Sequence, residues 1–327
     1  MARISIVGAG VMGCATAWAL SGRGEDVTLV EQFEPGHARG SSHGRTRIVR
    51  LAYPDPAWVE LAEEALEGWR AFERESKREL LGLYGLVELC SSVELTSRDV
   101  LVARGIEHRL LEGQELRELG VTLPAGWVAL WQAEAEVVYA DRAAAALLEA
   151  ARGRGVRLET GRRVESLDEI DAEVVVVTAG PWVTRLVPDV PVRVTRETIA
   201  YFNRPGSPAP AIVELNEATR GHAMYVLYDP VYGLKAGAHH VGHEADPDAS
   251  EAADPQLVER IVDWVQARLP GIDPEPAAVE TCLYTNTEDE SFVLERRGRV
   301  VVGSACSGHG FKFAPVVGRR LAELALG

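Results

Sequence analysis

The stretch from Arg3 to Glu31 constrains this chain more than any other. Arg3-Ile4-Ser5-Ile6-Val7 has strand composition, and Gly8-Ala9-Gly10-Val11-Met12-Gly13 follows it directly. Cys14 to Leu20 reads as a helix of small and apolar residues, Asp26 to Val30 as a second strand, and Glu31 stands at that strand's end. This is the strand–turn–helix–strand setting that a dinucleotide fingerprint needs. Gly8 permits the tight turn, Gly10 lets a pyrophosphate approach the backbone, and Gly13 lets helix and strand pack closely. The helix N-terminus offers free N–H groups and positive dipole to phosphates. Glu31, 18 residues after Gly13, is placed to accept hydrogen bonds from a ribose diol. The motif predicts an ADP-containing cofactor and leaves FAD and NAD both open.

With 327 residues, 46% of them hydrophobic, the chain can bury a core large enough for two domains. No window of about 18 apolar residues occurs, so no transmembrane helix is expected. The N-terminus reads as a strand rather than an export signal, which makes a cytoplasmic protein the expectation. A net charge of −15 argues against nucleic acid and anionic membrane as partners. Four cysteines, Cys14, Cys90, Cys282 and Cys306, lie far apart without disulfide or metal-ligand spacing, and no metal site is expected.

Lysine usage is more informative. Of 34 basic residues only Lys77, Lys235 and Lys312 are lysines, leaving 31 arginines. Arginine therefore serves wherever charge alone suffices, and a remaining lysine marks a need for its compact ammonium and movable pKa. Lys77 lies in a run of alternating charge and reads as a solvated helix face. Lys235 and Lys312 sit among glycines and aromatics, which makes them candidates for chemistry.

Along the chain, Gln32 to Pro56 is a long aperiodic segment rich in arginine, serine and glycine, suited to anions. Arg47 and Arg50 within it would share a face in a helical turn. Ala57 to Leu80 is an amphipathic helix, Asp141 caps a helix running to Ala151, and Ala172 to Thr178 is a buried strand entering Ala179-Gly180-Pro181-Trp182. Val190 to His240 is strand-rich, and Asp254 to Leu269 is a further amphipathic helix. Thr281 to Thr285 and Arg299 to Gly303 read as strands. The loop Ser307 to Phe313 feeds a closing helix from Ala314 to Leu326, and its glycines direct N–H groups at an anion. The expected fold is α/β, with a discontinuous Rossmann-type dinucleotide-binding domain (residues 1–80, 140–190 and 278–327), which the resemblance below makes an FAD-binding domain. A β-rich, α+β substrate domain takes residues 81–139 and 191–277.

Five pieces together resemble the monomeric sarcosine oxidase family and its N-methyltryptophan, pipecolate and fructosyl amino acid oxidase relatives. They are Gly8 to Gly13, Ser42-His43-Gly44-Arg45-Thr46-Arg47-Ile48-Val49-Arg50, Gly233 to His239, Cys282-Leu283-Tyr284-Thr285 and Ser307 to Phe313. The resemblance implies FAD held covalently through Cys282 at the flavin 8α-methyl. It implies Arg50 and Lys312 on a substrate carboxylate, His43 and Arg47 beside the flavin, and Lys235 where oxygen is reduced. Tyr225, His239 and Tyr284 would line the pocket. The cofactor-binding set it implies, joined to the fingerprint, is Gly8, Gly10, Val11, Met12, Gly13, Glu31, Gln32, Arg39, Ser41, Ser42, Val164, Gly180, Trp182, Cys282, Gly308, Gly310 and Lys312. Arg45 departs from the pattern, standing where many relatives carry an acid, and the middle of the chain shows little likeness.

The expected activity is oxidation of a small N-methyl or cyclic amino acid to an imine that hydrolyses, with O2 reduced to hydrogen peroxide. From sarcosine the products would be glycine and formaldehyde. The expected partners are a small amino acid and O2, with the enzyme a monomer. Two rival readings share these residues. One is a dehydrogenase or a D-amino acid or glycine oxidase on the same fold, the other an NAD-binding or non-catalytic flavin-binding protein.

Overall fold

A computed structural model of the chain describes residues 2–91, 96–214 and 224–327. The fingerprint opens a six-stranded sheet of β1 (Arg3–Val7), β2 (Asp26–Val30), β9 (Arg157–Glu159), β10 (Val174–Val177), β17 (Val293–Arg297) and β18 (Val300–Ser304). Their order is β17-β18-β10-β1-β2-β9, parallel throughout except at β17. Four consecutive valines make β10 a strand buried on both faces, as the centre of a parallel sheet requires. Helix α1 (Val11–Ser21) packs against α5 (Ala140–Gly153) and α8 (Ala314–Leu326). Its buried residues surround the helix axis, so α1 has no wet face comparable to that of an ordinary amphipathic helix.

Nine strands form a mixed sheet: β5 (Leu86–Ser91), β6 (Arg109–Leu110), β7 (Trp127–Gln132), β11 (Arg193–Asn203), β12 (Ala211–Glu214), β13 (Met224–Asp229), β14 (Gly233–Ala238), β15 (His243–Glu244) and β16 (Ala278–Asn286). Helix α7 (Pro255–Arg268) covers β11 and β14, burying Ile261, Trp264 and Val265. Short helices α3 (Thr96–Arg104), α4 (Gly113–Leu119) and α6 (Val183–Leu186) fill connections. A third sheet, β3 (Thr46–Val49), β8 (Glu136–Tyr139) and β4 (Leu81–Gly82), adjoins helix α2 (Pro56–Ser76). Asp55 starts α2 by accepting from the Ala57 N–H at 2.8 Å with Pro56 in the first turn. The exposed Lys77 ends it in a left-handed conformation, φ 55°.

Three local expectations change. Asp141 is no cap: Tyr139 occupies that position, and the Asp141 carboxylate accepts from the next N–H, that of Arg142, at 2.8 Å. Arg47 lies on a strand, not a helical turn, because residues 46–49 pair with β8. The strand at 278–286 hydrogen-bonds to β11 in the mixed sheet, although its sequence neighbours at 293–304 belong to the parallel one.

Two glycines set the approach of α1 to β1. Gly8 adopts φ 102°, and a Cβ there would lie 2.5 Å from the Thr178 carbonyl oxygen. A Cβ on Gly13 would lie 1.9 Å from the Gly8 carbonyl oxygen. Both clashes are with backbone, so no side-chain rotation relieves them. Gly13→Ala is expected to lower unfolding stability by about 1–3 kcal/mol, seen as a lower denaturant midpoint, and to reduce the dinucleotide that co-purifies.

Candidate active site

One cavity of about 650 Å³ runs from the fingerprint to the mixed sheet. At its first end the Gly8 N–H donates to Val30 O at 2.8 Å, and Thr178 Oγ1 donates to Gly8 O at 2.9 Å. Glu31, buried at the end of β2, accepts from Ala9 N at 2.7 Å through Oε2 and from Phe33 N at 3.0 Å through Oε1. A carboxylate has about four acceptor sites, so Glu31 keeps capacity for a diol. Ser42 Oγ accepts from Val11 N at 3.0 Å, placing this serine at the N-terminus of α1.

At the other end the segment 41–47 is tied to β16 on both sides of Cys282. Ser41 Oγ donates to Leu283 O. His43 Nε2 lies 3.0 Å from Thr281 O while Nδ1 lies 2.9 Å from Gly40 O. Burial and then the Arg47 charge lower the His43 pKa, so the ring is neutral near pH 7 and has one N–H to share between these carbonyls. Arg47 donates to the carbonyls of Ser41 (3.0 Å), His43 (2.6 Å) and Thr46 (2.9 Å), and its guanidinium lies 5.6 Å from the Phe311 ring. The buried Cys282 thiol is pushed up to about 11 by burial, with Arg47 and Lys235 opposing that rise.

Lys235 is 2% exposed and donates to Thr46 O at 3.2 Å. Burial first and Arg47 second lower its pKa to about 7. Lys312, also buried, donates to the Tyr53 hydroxyl at 2.7 Å, and burial and Arg50 hold its pKa well below the ordinary value. The half-buried Arg50 lies with its guanidinium 4.6 Å from the Tyr53 ring, and its buried Nη1 has no hydrogen-bond partner among the described residues. Tyr284 Oη is 3.2 Å from His239 Nδ1, and the Tyr225 and His239 rings are 5.0 Å apart. Burial drives the His239 pKa far down and those of Tyr225 and Tyr284 up, so all three are neutral at pH 7. Among the described residues no carboxylate ion-pairs with Arg47, Arg50, Lys235 or Lys312.

The cavity gathers nearly every residue expected from sequence. His43, Arg47, Arg50, Tyr225, Lys235, His239, Cys282, Tyr284 and Lys312 line it, as do Gly8, Gly10, Val11, Met12, Glu31, Gln32, Ser41, Ser42, Val164, Gly180, Trp182, Gly308 and Gly310. Gly13 lies beneath the turn rather than on the wall. Arg39 is outside, its guanidinium 5.2 Å from the Phe33 ring. Arg45 also faces away: it donates to buried Asp229 at 2.7 Å and lies 4.6 Å from the Tyr201 ring.

Sequence reasoning missed Tyr53, Thr178 and Asp248. Asp248 receives the Trp182 indole N–H at 2.7 Å and both Arg163 and Arg185, fixing three side chains on the cavity wall. Thr178 adjoins the glycine turn already singled out, whereas nothing in the sequence around Asp248 signals its role.

The geometry fits a dinucleotide whose other end is electron-rich: a phosphate-binding turn and ribose acid at one end, unpaired cations at the other. The profile of the FAD dependent oxidoreductase family matches residues 3–324. This chain belongs to that family, on its sarcosine oxidase-like branch. It is 33% identical to peroxisomal sarcosine oxidase of Homo sapiens, covering 98% of this chain and 91% of that protein. It is 28% identical to monomeric sarcosine oxidase of Bacillus sp. (strain B-0618), covering 99% and 92%. Among solved structures it resembles NikD, an amino acid oxidase essential for nikkomycin biosynthesis (TM-score 0.86, 24% identity, 100% of this chain and 94% of that one). Glycine oxidase from Geobacillus kaustophilus gives TM-score 0.82 at 20% identity over 100% and 95%, a likeness of fold. The chain is thus an FAD-dependent amine oxidase acting on amino acids. Among the described residues no helix is long and apolar enough to cross a membrane.

The depressed Lys235 pKa carries a stability consequence. Between about 7 and the ordinary 10.5 the unfolded chain binds a proton at Lys235 that the folded chain does not. Stability must therefore rise with pH across that window at this residue. Lys235→Met is expected to be more stable than the parent below pH 7, with the difference shrinking as pH approaches 10. Thermal unfolding of both proteins over that range checks the sign.

Proposed function

We propose that this enzyme oxidises a small secondary amino acid, N-methyl or cyclic, with O2 as the electron acceptor, and that its FAD is attached through Cys282. The observation that carries this reading is the set of four cations lining one cavity without ion-paired carboxylates among the described residues. Isolated charges in a dry site are costly unless an anion meets them. A substrate carboxylate meets Arg50 and Lys312, and Tyr53 fixes the direction of the Lys312 ammonium.

Oxidation to the imine removes two electrons and two protons from an N–H and its neighbouring C–H, and bound FAD supplies the two-electron acceptor. Two fixed cations orient the amino acid by its carboxylate, which is most of what such a reaction asks of a protein. Clustered positive charge also disfavours an ammonium on the substrate, so the reactive neutral amine is favoured. Neutral His239, Tyr225 and Tyr284 form a wall that accepts hydrogen bonds without adding charge. Arg47, held by three carbonyls, would offer a fixed positive charge to the ring of bound FAD, which becomes electron-rich on reduction. Lys235 presents a buried ammonium to oxygen as it accepts an electron. In this reading the parallel-sheet layer holds the dinucleotide and the mixed sheet faces the substrate. A monomer in the cytoplasm accords with it.

Lys235 separates an oxidase from a dehydrogenase. At an effective dielectric near 20, a unit charge ~4 Å away contributes about 4 kcal/mol before desolvation. Lys235→Met is therefore expected to slow the oxygen-consuming half-reaction more than tenfold while sparing the anaerobic half-reaction with substrate. Stopped-flow absorbance resolves the two. Equal oxygen rates in parent and variant would sink the oxygen assignment. Release of peroxide across a panel of N-methyl, cyclic and glycated amino acids identifies the substrate.

The attachment is tested separately by acid precipitation. Colour is expected to stay with the protein pellet in the parent and in Cys14→Ala, Cys90→Ala and Cys306→Ala, and to leave it in Cys282→Ala. Flavin in the parent supernatant would show that the bond is absent.

A further inference from the structure

Behind Arg50 lies an acid that the reaction as described does not use. Glu88 on β5 is fully buried, and its Oε1 accepts from the Ser97 hydroxyl of α3. Among the described residues its Oε2 has no hydrogen-bond partner, nor do Arg50 Nη1 or Gln132 Nε2. These orphans are neighbours by topology. In the β5–β7 ladder Leu86 faces Gln132 and Glu88 faces Leu130, so Glu88 and Gln132 project from one face as diagonal neighbours. Gln132 Oε1 accepts from Leu51 N at 3.1 Å, which ties the residue next to Arg50 to that same face. Two donors and one acceptor are thus left open in a buried patch at the back of the clamp, where unpaired polar atoms are rare.

We propose that Glu88 is the internal counter-charge of the carboxylate clamp, ionised while Arg50 is free and protonated when a substrate carboxylate occupies Arg50. The proposal rests on Arg50 and Lys312 forming that clamp. An ionised Glu88 offsets the free guanidinium's charge through the dry interior without an ion-pair contact. A bound substrate adds a second carboxylate to the same guanidinium, and two such anions in a dry site cannot both stay ionised. A proton from solvent on Glu88 resolves the conflict. Burial raises the proton affinity of Glu88, whereas Arg50 and then the Ser97 hydroxyl lower it. Occupying Arg50 cancels the main opposing influence, and burial then prevails.

Among the described residues, the elements packed against that acid add no competing titration. Ser97 on α3, Leu130 and Gln132 on β7 and Val213 on β12 present no ionisable group. Glu214 on β12 points to the opposite face, where Arg268 and the Trp264 indole take it. Lys312, whose proton affinity burial and the Arg50 charge lower, also gains a proton if it is neutral before binding, so its share must be separated.

The test titrates the holoenzyme with acetate, a carboxylate without an amine, by calorimetry in buffers of different ionisation enthalpy. The parent is expected to take up more protons per acetate than Glu88→Gln, by up to one, because any Lys312 share persists in the variant. Acetate affinity in the parent should fall by up to tenfold per pH unit more steeply than in Glu88→Gln. Infrared difference spectra should show a protonated-acid carbonyl band that appears on binding and is absent from Glu88→Gln. Equal proton counts in the two proteins, or an acid band already present before acetate is added, overturn the proposal. Should Glu88→Gln not fold, Ser97→Ala keeps the acid but removes a group favouring its ionised form. It should move the uptake to higher pH, and an unmoved uptake likewise overturns the proposal. Arg50→Ala is the control: acetate binding as tight as in the parent would mean the clamp itself is wrong, a failure distinct from equal proton counts with the clamp intact.

Discussion

Positive charge held away from water, without ion-paired carboxylates among the described residues, is the condition on which this active site depends. Arg47 and Lys235 are stabilised by backbone carbonyls, and Lys312 by a phenol. Each of these partners satisfies a donor without cancelling its charge. A chain of net charge −15 has ample acid to neutralise its arginines, and on the surface it does so repeatedly. Leaving the cavity cations unpaired is therefore a local feature against the composition. It keeps the site attractive to carboxylates and to an electron-rich ring, and the cost appears as the low proton affinity of both buried lysines.

The same scarcity made much of the site readable before any coordinates. When arginine supplies nearly all positive charge, a lysine kept between glycines points to buried chemistry, and both such lysines line the cavity. The fingerprint was equally legible, because its glycines answer local backbone constraints that sequence records directly. What was not legible depends on partners far along the chain. Asp141 has the composition of a cap, but pairing of β8 with β3 sets the helix start two residues earlier than a cap at 141 allows. Residues 46–49 lack strand periodicity because both faces meet the cavity, at Thr46, Arg47 and Ile48, and only Val49 is wholly in the core. Glu88, Tyr53 and Asp248 carry no motif, since each matters through a group distant in sequence: Arg50, Lys312 and Trp182 respectively.

Arg45 shows how a departure from a family pattern can be neutral to the site. Its guanidinium lies against Tyr201 and Tyr232 and pairs with Asp229, whose other oxygen accepts from the N–H groups of Val231 and Tyr232 in the β13–β14 turn. The charge is thereby consumed in holding that turn, which begins the strand carrying Lys235. Its effect on the site comes through position, not potential.

The long segment between β2 and β3 explains why a loop that size persists inside a compact domain. Ser42 caps α1 in the parallel-sheet layer, while Ser41 and His43 grip β16 in the mixed sheet on either side of Cys282. Arg47 then closes the segment on itself through the carbonyls of Ser41 and His43. A helix could not meet both partners, because adjacent residues on a helix face different directions by about 100° and cannot be aimed independently. Extended backbone freed by glycine can. One short run of residues therefore sets the spacing between the dinucleotide turn and the cysteine strand, two elements that belong to different sheets and are 270 residues apart in sequence at Met12 and Cys282. A change in that run shifts both ends of the cavity together, whereas a change in β16 or α1 alone shifts only one.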